Sequence, residues 1–149
     1  MIKYRPATAA DFELTLQLKA HSIKPYISEI WGWDDAVQLE YHKHDFVAEH
    51  MQIILDRHDQ EIGLIDKVET RKLIFIKSIL IDHSVQRSGI GTKVMNDIIQ
   101  HALLADKPIE LQVFKINIIA KKFYQKLGFI IKGHTALHYQ MIYKNGEIV

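Results

Sequence analysis

The chain has 149 residues, 48% of them apolar and 25% charged, with a formal net charge of +1. That composition excludes a disordered chain and lacks the basic stripe of a dedicated nucleic-acid binder. There is no cysteine, so disulfides, a thiolate nucleophile and a cysteine-based zinc site are excluded, which suits a reducing cytoplasm.

Residues 2–5 read as a first strand ended by Pro6, not as the apolar core of a signal peptide. Thr8-Ala9-Ala10-Asp11 resembles a capping box with Asp in place of Glu, and the helix it opens puts Phe12, Leu16, Ala20 and Ile23 on one face. Pro25 is expected to end that helix. Trp31-Gly32-Trp33 interrupts the pattern like a turn, and Asp34 caps a second helix running to about His44. Residues 52–56 and 61–68 read as strands joined by a turn at Arg57-His58-Asp59-Gln60. The nearly continuous apolar run 73–81 suits a central strand buried on both faces.

Val94, Met95, Ile98, Ile99 and Ala102 form an i, i+3, i+4 stripe that runs to about Ala105, and Pro108 follows. A strand over 109–113 precedes a short helix over 118–127, stopped by Gly128 as a left-handed cap. Residues 129–132 and 137–143 read as closing strands; the last alternates, and at a sheet edge it would offer a dimer contact. The order is β-α-α-β-β-β-α-β-α-β-β, a mixed α/β layer structure. No repeat, low-complexity segment or linker divides residues 1–149, and no apolar run approaches the length of a membrane span.

The chemistry concentrates at Gln86-Arg87-Ser88-Gly89-Ile90-Gly91, between a buried strand and an amphipathic helix. Such a turn presents bare N–H groups to an anion at a helix N-terminus, and glycine lets the ligand approach the main chain. The spacing is not that of a Walker A loop, because Lys93 stands in the wrong place. It is not a dinucleotide fingerprint either, because Val94 occupies the third small position. Taken alone, the turn is equally a ligand-free strand-to-helix connection.

A second segment, Asn117-Ile118-Ile119-Ala120-Lys121-Lys122-Phe123-Tyr124-Gln125-Lys126-Leu127-Gly128-Phe129, lies one strand downstream. Together the two resemble motifs A and B of the GCN5-related N-acetyltransferase (GNAT) superfamily, [QR]-x-x-G-x-[GA] and N-x-x-A-x-x-[FL]-Y-x-K-x-G-F. The element order extends the resemblance over nearly the whole chain, as one N-acetyltransferase domain over 1–149. The N-terminal part resembles bacterial members of unassigned substrate.

The resemblance implies a mixed, mostly antiparallel sheet of about seven strands flanked by about four helices, and transfer of an acetyl group from acetyl-CoA to a primary amine. It implies that backbone amides of Arg87, Ser88, Gly89, Ile90, Gly91 and Thr92 hold the CoA pyrophosphate while Gln86 shapes the loop. The main chain of Ile79, Leu80 and Ile81 would pair with the pantetheine arm beside a splay in the sheet. Asn117 would touch the cofactor arm, and Tyr124 would protonate the departing thiolate. Elementary chemistry agrees with the last role, since a phenol with a pKa of about 10 stays protonated at neutral pH. The alternative for Tyr124 is a core aromatic beside Ala120 and Leu127.

An amine with a pKa of about 10.4 must lose a proton to attack. Many relatives carry a Glu on the fourth strand for this, where this chain has Ser78. Glu29 or a water held by carbonyls is left to serve; Glu29 is otherwise a solvated loop carboxylate. Trp31 and Trp33 either wall the acceptor pocket, with a cation–π contact to an amine, or staple their loop to the core. The nine histidines lack metal-ligand spacing and read as scattered surface residues, so no metal is expected. A non-catalytic acyl-CoA sensor on the same fold, and a nucleotide-binding α/β protein using the same loop, are the other readings. The expected partner is a small-molecule or peptide amine, with no nucleic acid and no membrane, in the cytoplasm, with a homodimer as a further option.

Overall fold

The computed structural model describes residues 1–86 and 88–144. Seven strands form one sheet in the order β1-β2-β3-β4-β5-β7-β6. The strands are β1 Lys3–Pro6, β2 Met51–Leu55, β3 Glu61–Glu69, β4 Ile74–Ile81, β5 Ile109–Phe114, β6 Ile130–His134 and β7 His138–Tyr143. Four helices accompany them: α1 Phe12–Ile30, α2 Asp35–Asp45, α3 Ile90–Ala105 and α4 Ile118–Leu127. The element order matches the one read from the sequence. Pairing is antiparallel for β1–β2, β2–β3, β5–β7 and β6–β7, and parallel for β4–β5. The parallel ladder holds Ile74↔Ile109, Phe75↔Glu110 and Ile76↔Leu111 and ends there, while β4 continues to Ile81.

The chain divides into two compact units, residues 1–66 with 78–91, and residues 67–77 with 92–149. In the first, Ala7, Leu18, Met51, Ile53, Leu64 and Leu80 form the core, with Leu14, Phe46, Ala48 and Leu55 against it. The middle of β3, Ile62 to Asp66, is buried without interruption, as suits an inner strand covered on both faces, and Met51, Ile53 and Ile54 of β2 are buried beside it. Arg5 clamps this unit from the edge. Its guanidinium donates to both oxygens of Asp11 at 2.8 Å and to Glu61 at 2.6 Å. The Asp11 carboxylate also accepts the Thr8 N–H at 2.8 Å, the return bond of the expected capping box.

In the second unit the α3 stripe is buried as predicted, with Val94, Met95 and Ala102 fully enclosed. The same unit also buries Ile74, Ile76, Ile109, Leu111, Phe129 and Met141. Each such side chain contributes about 1.5–3 kcal/mol relative to exposure. Gly128 ends α4 at φ +109°, with its N–H donating to Gln125 O and the Phe129 N–H to Tyr124 O.

Three expectations need correction. Pro25 does not end α1, which runs on to Ile30. Proline removes one N–H donor, but the helix is held beyond it: Ile27 is buried and the Trp31 N–H closes onto Ile27 O at 2.9 Å. Glu29 therefore lies in the last turn of a helix and not in a loop. The closing strand β7 is not an edge strand. It is paired on both sides, by β5 and β6, because β6 takes the outer position, so a dimer through β7 loses its basis.

Candidate active site

A cavity of about 680 Å³ opens in the first unit, within the range of small-molecule sites. Its walls follow from helical spacing. Leu16, Ala20, Ile23 and Ile27 recur every three or four residues and line it from α1. Val37, Gln38, Tyr41, His42 and Asp45 line it from α2 by the same spacing. Trp31, Gly32, Trp33 and Asp34 close one end, and Ser78 and Leu80 of β4 contribute the sheet side.

The cavity explains why the α1 face read as core is only half-buried. Leu16, Ala20 and Ile23 face a hollow, while the buried α1 positions are Thr15, Leu18 and, at the far end of the same wall, Ile27. Tyr41 is 60% exposed and Trp31 62% exposed, so large aromatic surface is left at the opening. Sequence reasoning missed the α1 and α2 walls. The signal that was available is the apolar stripe of α1 facing a helix whose own apolar residues, Val37 and Tyr41, have no core to enter.

Both tryptophans line the cavity, and Trp33 is held in place there. Its Nε1–H donates to Asp35 at 2.6 Å, and Lys24 sits 5.6 Å from its ring centroid. Asp34 caps α2 as expected, accepting from the N–H groups of Ala36 and Val37 at 2.9 and 3.2 Å. Glu29 is exposed and is not on the cavity wall; Ser78 is half-buried on it.

His42 departs from the reading of surface histidines. It is 2% exposed and packs against Phe12 and Phe46, with ring centroids 4.5 and 5.5 Å away. Its Nε2 lies 2.9 Å from Thr15 Oγ1 and 3.0 Å from the Phe12 carbonyl. Burial, aided by the charge of Lys19, lowers its pKa from the ordinary 6.5.

The turn after β4 is open. Gln86, Ser88 and Gly89 are exposed, while Ile90 and Gly91 begin α3. Gly89 has φ +83°, a conformation that glycine alone adopts without strain. Gln86 donates from Nε2 to the Ile81 carbonyl at 3.1 Å, tying the turn back to the end of the strand. Ser88 Oγ donates to the Val85 carbonyl. Arg87 lies outside the described residues. Ile81 and Gln86 also border a second cavity of about 510 Å³, with Leu18, His21 and Asp82 among its walls. Ile79 is half-buried and Leu80 buried, and Thr92 is exposed in the first turn of α3.

In the second unit, Asn117 caps α4, its side-chain oxygen accepting the Ala120 N–H at 3.1 Å. Tyr124 is half-buried, with Phe123 and Phe129 edge-on at 5.1 and 5.5 Å. Among the described residues its hydroxyl has no hydrogen-bond partner. Desolvation pushes its pKa up to about 12. No group of histidines and carboxylates among the described residues is placed to hold a metal ion. No helix among them is long and apolar enough to cross a membrane.

The sheet order, the β4–β5 ladder that stops after three pairs and the glycine turn opening a helix define an acetyltransferase type of α/β architecture. The chain belongs to the acetyltransferase (GNAT) family, whose sequence profile matches residues 18–129. No curated protein matches the sequence significantly. Solved structures are similar over nearly the full length. The PaiA N-acetyltransferase of Thermoplasma acidophilum, in complex with coenzyme A, superposes with a TM-score of 0.77 at 15% identity, over 97% of this chain and 99% of its own. Naa50 of Arabidopsis thaliana, in complex with the bisubstrate analogue CoA-Ac-MVNAL, gives 0.69 at 16% identity, over 96% and 98%. A spermidine N-acetyltransferase SpeG chimera from Vibrio cholerae and hSSAT gives 0.69 at 18% identity, over 96% and 95%. At these identities the likeness is one of fold.

Proposed function

We propose that the protein is an N-acetyltransferase that moves the acetyl group of acetyl-CoA to a primary amine by direct attack. The observation that carries this reading is the exposed Gly89 turn, which opens α3 after a short 3-10 turn, His83–Val85, that follows a strand whose parallel ladder ends short of its own end. Amides of Ser88 to Thr92 are suited to the CoA pyrophosphate, with the positive end of α3 adding to their pull. The main chain of Ile79 to Ile81 would pair with the pantetheine arm, and Asn117 would touch it. The acceptor amine would enter the cavity of α1 and α2, where Trp31 and Trp33 give its body an aromatic surface.

The amine nitrogen forms a bond to the thioester carbon, giving a tetrahedral oxyanion. A preorganised main-chain N–H of β4 is the natural donor to it. The C–S bond then breaks, Tyr124 gives its proton to the thiolate, and the nitrogen sheds a proton that restores the phenol and leaves the neutral amide. No covalent enzyme intermediate is needed, in keeping with a chain that has no cysteine. One neighbour of this fold is named a spermidine N-acetyltransferase and another is bound to the bisubstrate analogue CoA-Ac-MVNAL, so polyamines and peptides both belong in the test. The cytoplasm, where acetyl-CoA is available, is the compartment we propose for it.

The test is release of the CoA thiol from acetyl-CoA over a panel of polyamines, arylalkylamines, amino acids and peptides. Turnover of any amine, with N-acetyl product identified by mass, supports the enzyme. Saturable CoA binding with no acceptor turned over would favour a binding module on the same fold. No CoA-induced thermal stabilisation at all would remove the reading.

A further inference from the structure

The walls of the α1–α2 cavity carry information about the body of the acceptor, not only its amine. Trp31, Val37 and Tyr41 are all exposed, and all three line the cavity. Large apolar side chains left in water and gathered at one concavity mark a binding surface. On the facing wall, α1 contributes four apolar side chains, and its only polar one is Lys19. Water against such walls has few partners, and an apolar body that displaces it gains in proportion to the area covered.

The charged groups limit what else that body carries. The carboxylates on the walls are Asp34 and Asp45. Asp34 already accepts the N–H groups of Ala36 and Val37. Asp45 stands at the other end of α2, eleven residues on and about 16 Å along the helix axis. The two are therefore not a pair spaced for the ends of a short diamine. Two ammonium groups of the protein's own are also in place, Lys19 on the α1 wall and Lys24 at 5.6 Å from the ring centroid of Trp33. A second ammonium on the acceptor would leave water for a site with cations beside it and no carboxylate to itself, which is unfavourable. A peptide brings a donor and an acceptor with each backbone unit, and the α1 wall has almost nothing to pair with them.

We propose that the acceptor is a primary monoamine with an uncharged apolar body, of the arylalkylamine class, and that its body lies against Trp31, Val37 and Tyr41. The proposal rests on the transferase reading of this cavity and names the substrate class of that same site. The body is what the site selects, and the single ammonium is the group that is acetylated. A zwitterionic amino acid is the competing case, because its carboxylate would meet Lys19.

The chain has two tryptophans, Trp31 and Trp33, and both line the cavity, so tryptophan fluorescence reads its occupancy with or without turnover. The full chain is titrated at constant ionic strength, without and with CoA, using 2-phenylethylamine, 1,4-diaminobutane, phenylalanine and the pentapeptide MVNAL. 2-Phenylethylamine should bind tighter than each of the others by about tenfold or more, the scale set by one covered phenyl ring or one unpaired charge. A diamine, amino acid or peptide that binds within about threefold of it would overturn the assignment, as would no response to any of the four in either state.

Three variants test the wall itself, with thermal melts to establish that each is folded. Val37 lies in the first turn of α2, where an acid suits the helix dipole, so Val37→Glu adds a carboxylate to the wall at little structural cost. Val37→Gln adds the same bulk without the charge. Val37→Glu should narrow the preference for 2-phenylethylamine over 1,4-diaminobutane by about threefold or more, and Val37→Gln should not. Tyr41→Ser should weaken 2-phenylethylamine by about three- to tenfold and the diamine by less than about twofold. Equal losses for both amines in Tyr41→Ser, or none for either, would overturn the placement of the body.

Turnover gives the second readout. With saturating acetyl-CoA, kcat/KM should rank the four acceptors in the same order, and a diamine, amino acid or peptide at the head of that ranking would overturn the proposal. Should the protein bind no CoA, the transferase reading fails on its own, and the fluorescence titrations still decide whether the cavity selects an apolar monoamine.

Discussion

Replacing Tyr124 by Phe tests the proposed acid with little structural cost. The ring makes edge contacts with Phe123 and Phe129 that phenylalanine retains. The hydroxyl removed has no hydrogen-bond partner among the described residues, so no bond is broken. The side chain is half-buried and its hydroxyl is not among the sealed polar atoms, so the melting temperature should stay within about 2 °C of wild type.

The kinetic effect follows from the raised pKa of about 12. At pH 8 all but roughly 0.01% of such a phenol is protonated, so the acid is always loaded. It is nevertheless a weak acid toward the leaving group. A thiol has an ordinary pKa of about 8.5, so full transfer to a free thiolate would be uphill by about 5 kcal/mol. The proton must therefore move as the C–S bond breaks, where the developing thiolate shares the same dry surroundings. A modest acid contribution results, at the lower end of the usual range, about 10²-fold in kcat.

The assay is CoA-thiol release under saturating acetyl-CoA and amine, with kcat and KM measured separately. Tyr124→Phe should lower kcat by that factor and leave the KM for acetyl-CoA in place. The alkaline side of the kcat profile should stay flat through pH 10, because the proton is lost only near pH 12. A fall in kcat of less than about fivefold would refute the acid role. So would an alkaline limb near pH 10 in wild type that the Phe variant abolishes, since that would place the phenol in water.

Four further outcomes can be measured directly. Gly63→Ala should cost about 1–3 kcal/mol in denaturant unfolding, because its Cβ would stand 2.6 Å from the Leu80 carbonyl oxygen, which is backbone and cannot swing away. Gly133→Ala, whose Cβ meets only the end of the Gln140 side chain at 2.8 Å, should stay within about 0.5 kcal/mol. Asn117→Ala should lose about 1 kcal/mol with the α4 cap, whereas Asn117→Asp keeps the cap. A raised KM for acetyl-CoA in the Asp variant would then isolate the amide's contact with the cofactor.

Stability should also fall as the medium is acidified, in two stages. His42 has a folded pKa below 6.5, so its contribution is complete above 6.5 and is lost as pH drops through the folded value. Asp11, held down first by the Arg5 hydrogen bond, contributes above its ordinary 3.8 and loses that below it. Urea titrations of wild type and His42→Phe from about pH 3 to about pH 8 should give stability profiles that differ in slope only in the upper stage.

The fold was legible where local physics decides alone. The α3 stripe, the Asp34 cap, the Gly128 stop and the two glycine-bearing turns each depend on a few adjacent residues, and each stands where the residues place it. The misreadings share a cause in tertiary context. Pro25 breaks an isolated helix, but α1 is anchored past it by Ile27 and Trp31. β7 alternates like an edge strand, but β6 pairs along its outer side. His42 carries no sequence mark of burial, since a histidine between polar neighbours on a helix reads as solvated until Phe12 and Phe46 are brought around it.

The α1 stripe shows a deeper limit. Leu16, Ala20 and Ile23 have the spacing of a core face, and apolar periodicity reports only that a face avoids water. It does not distinguish a face filled by the protein's own side chains from one that waits for a ligand's. The distinction comes from the opposite wall. Where α2 presents Tyr41 and Val37, still 60% and 42% exposed, together with Gln38 and Asp45, the hollow cannot close as a dry core. The aromatic surface and the Asp45 carboxylate have more to gain from an amine-bearing molecule than from one another. Acceptor choice should therefore follow substitutions on α1 and α2, while the step at the thioester follows Tyr124 and the turn at Gly89.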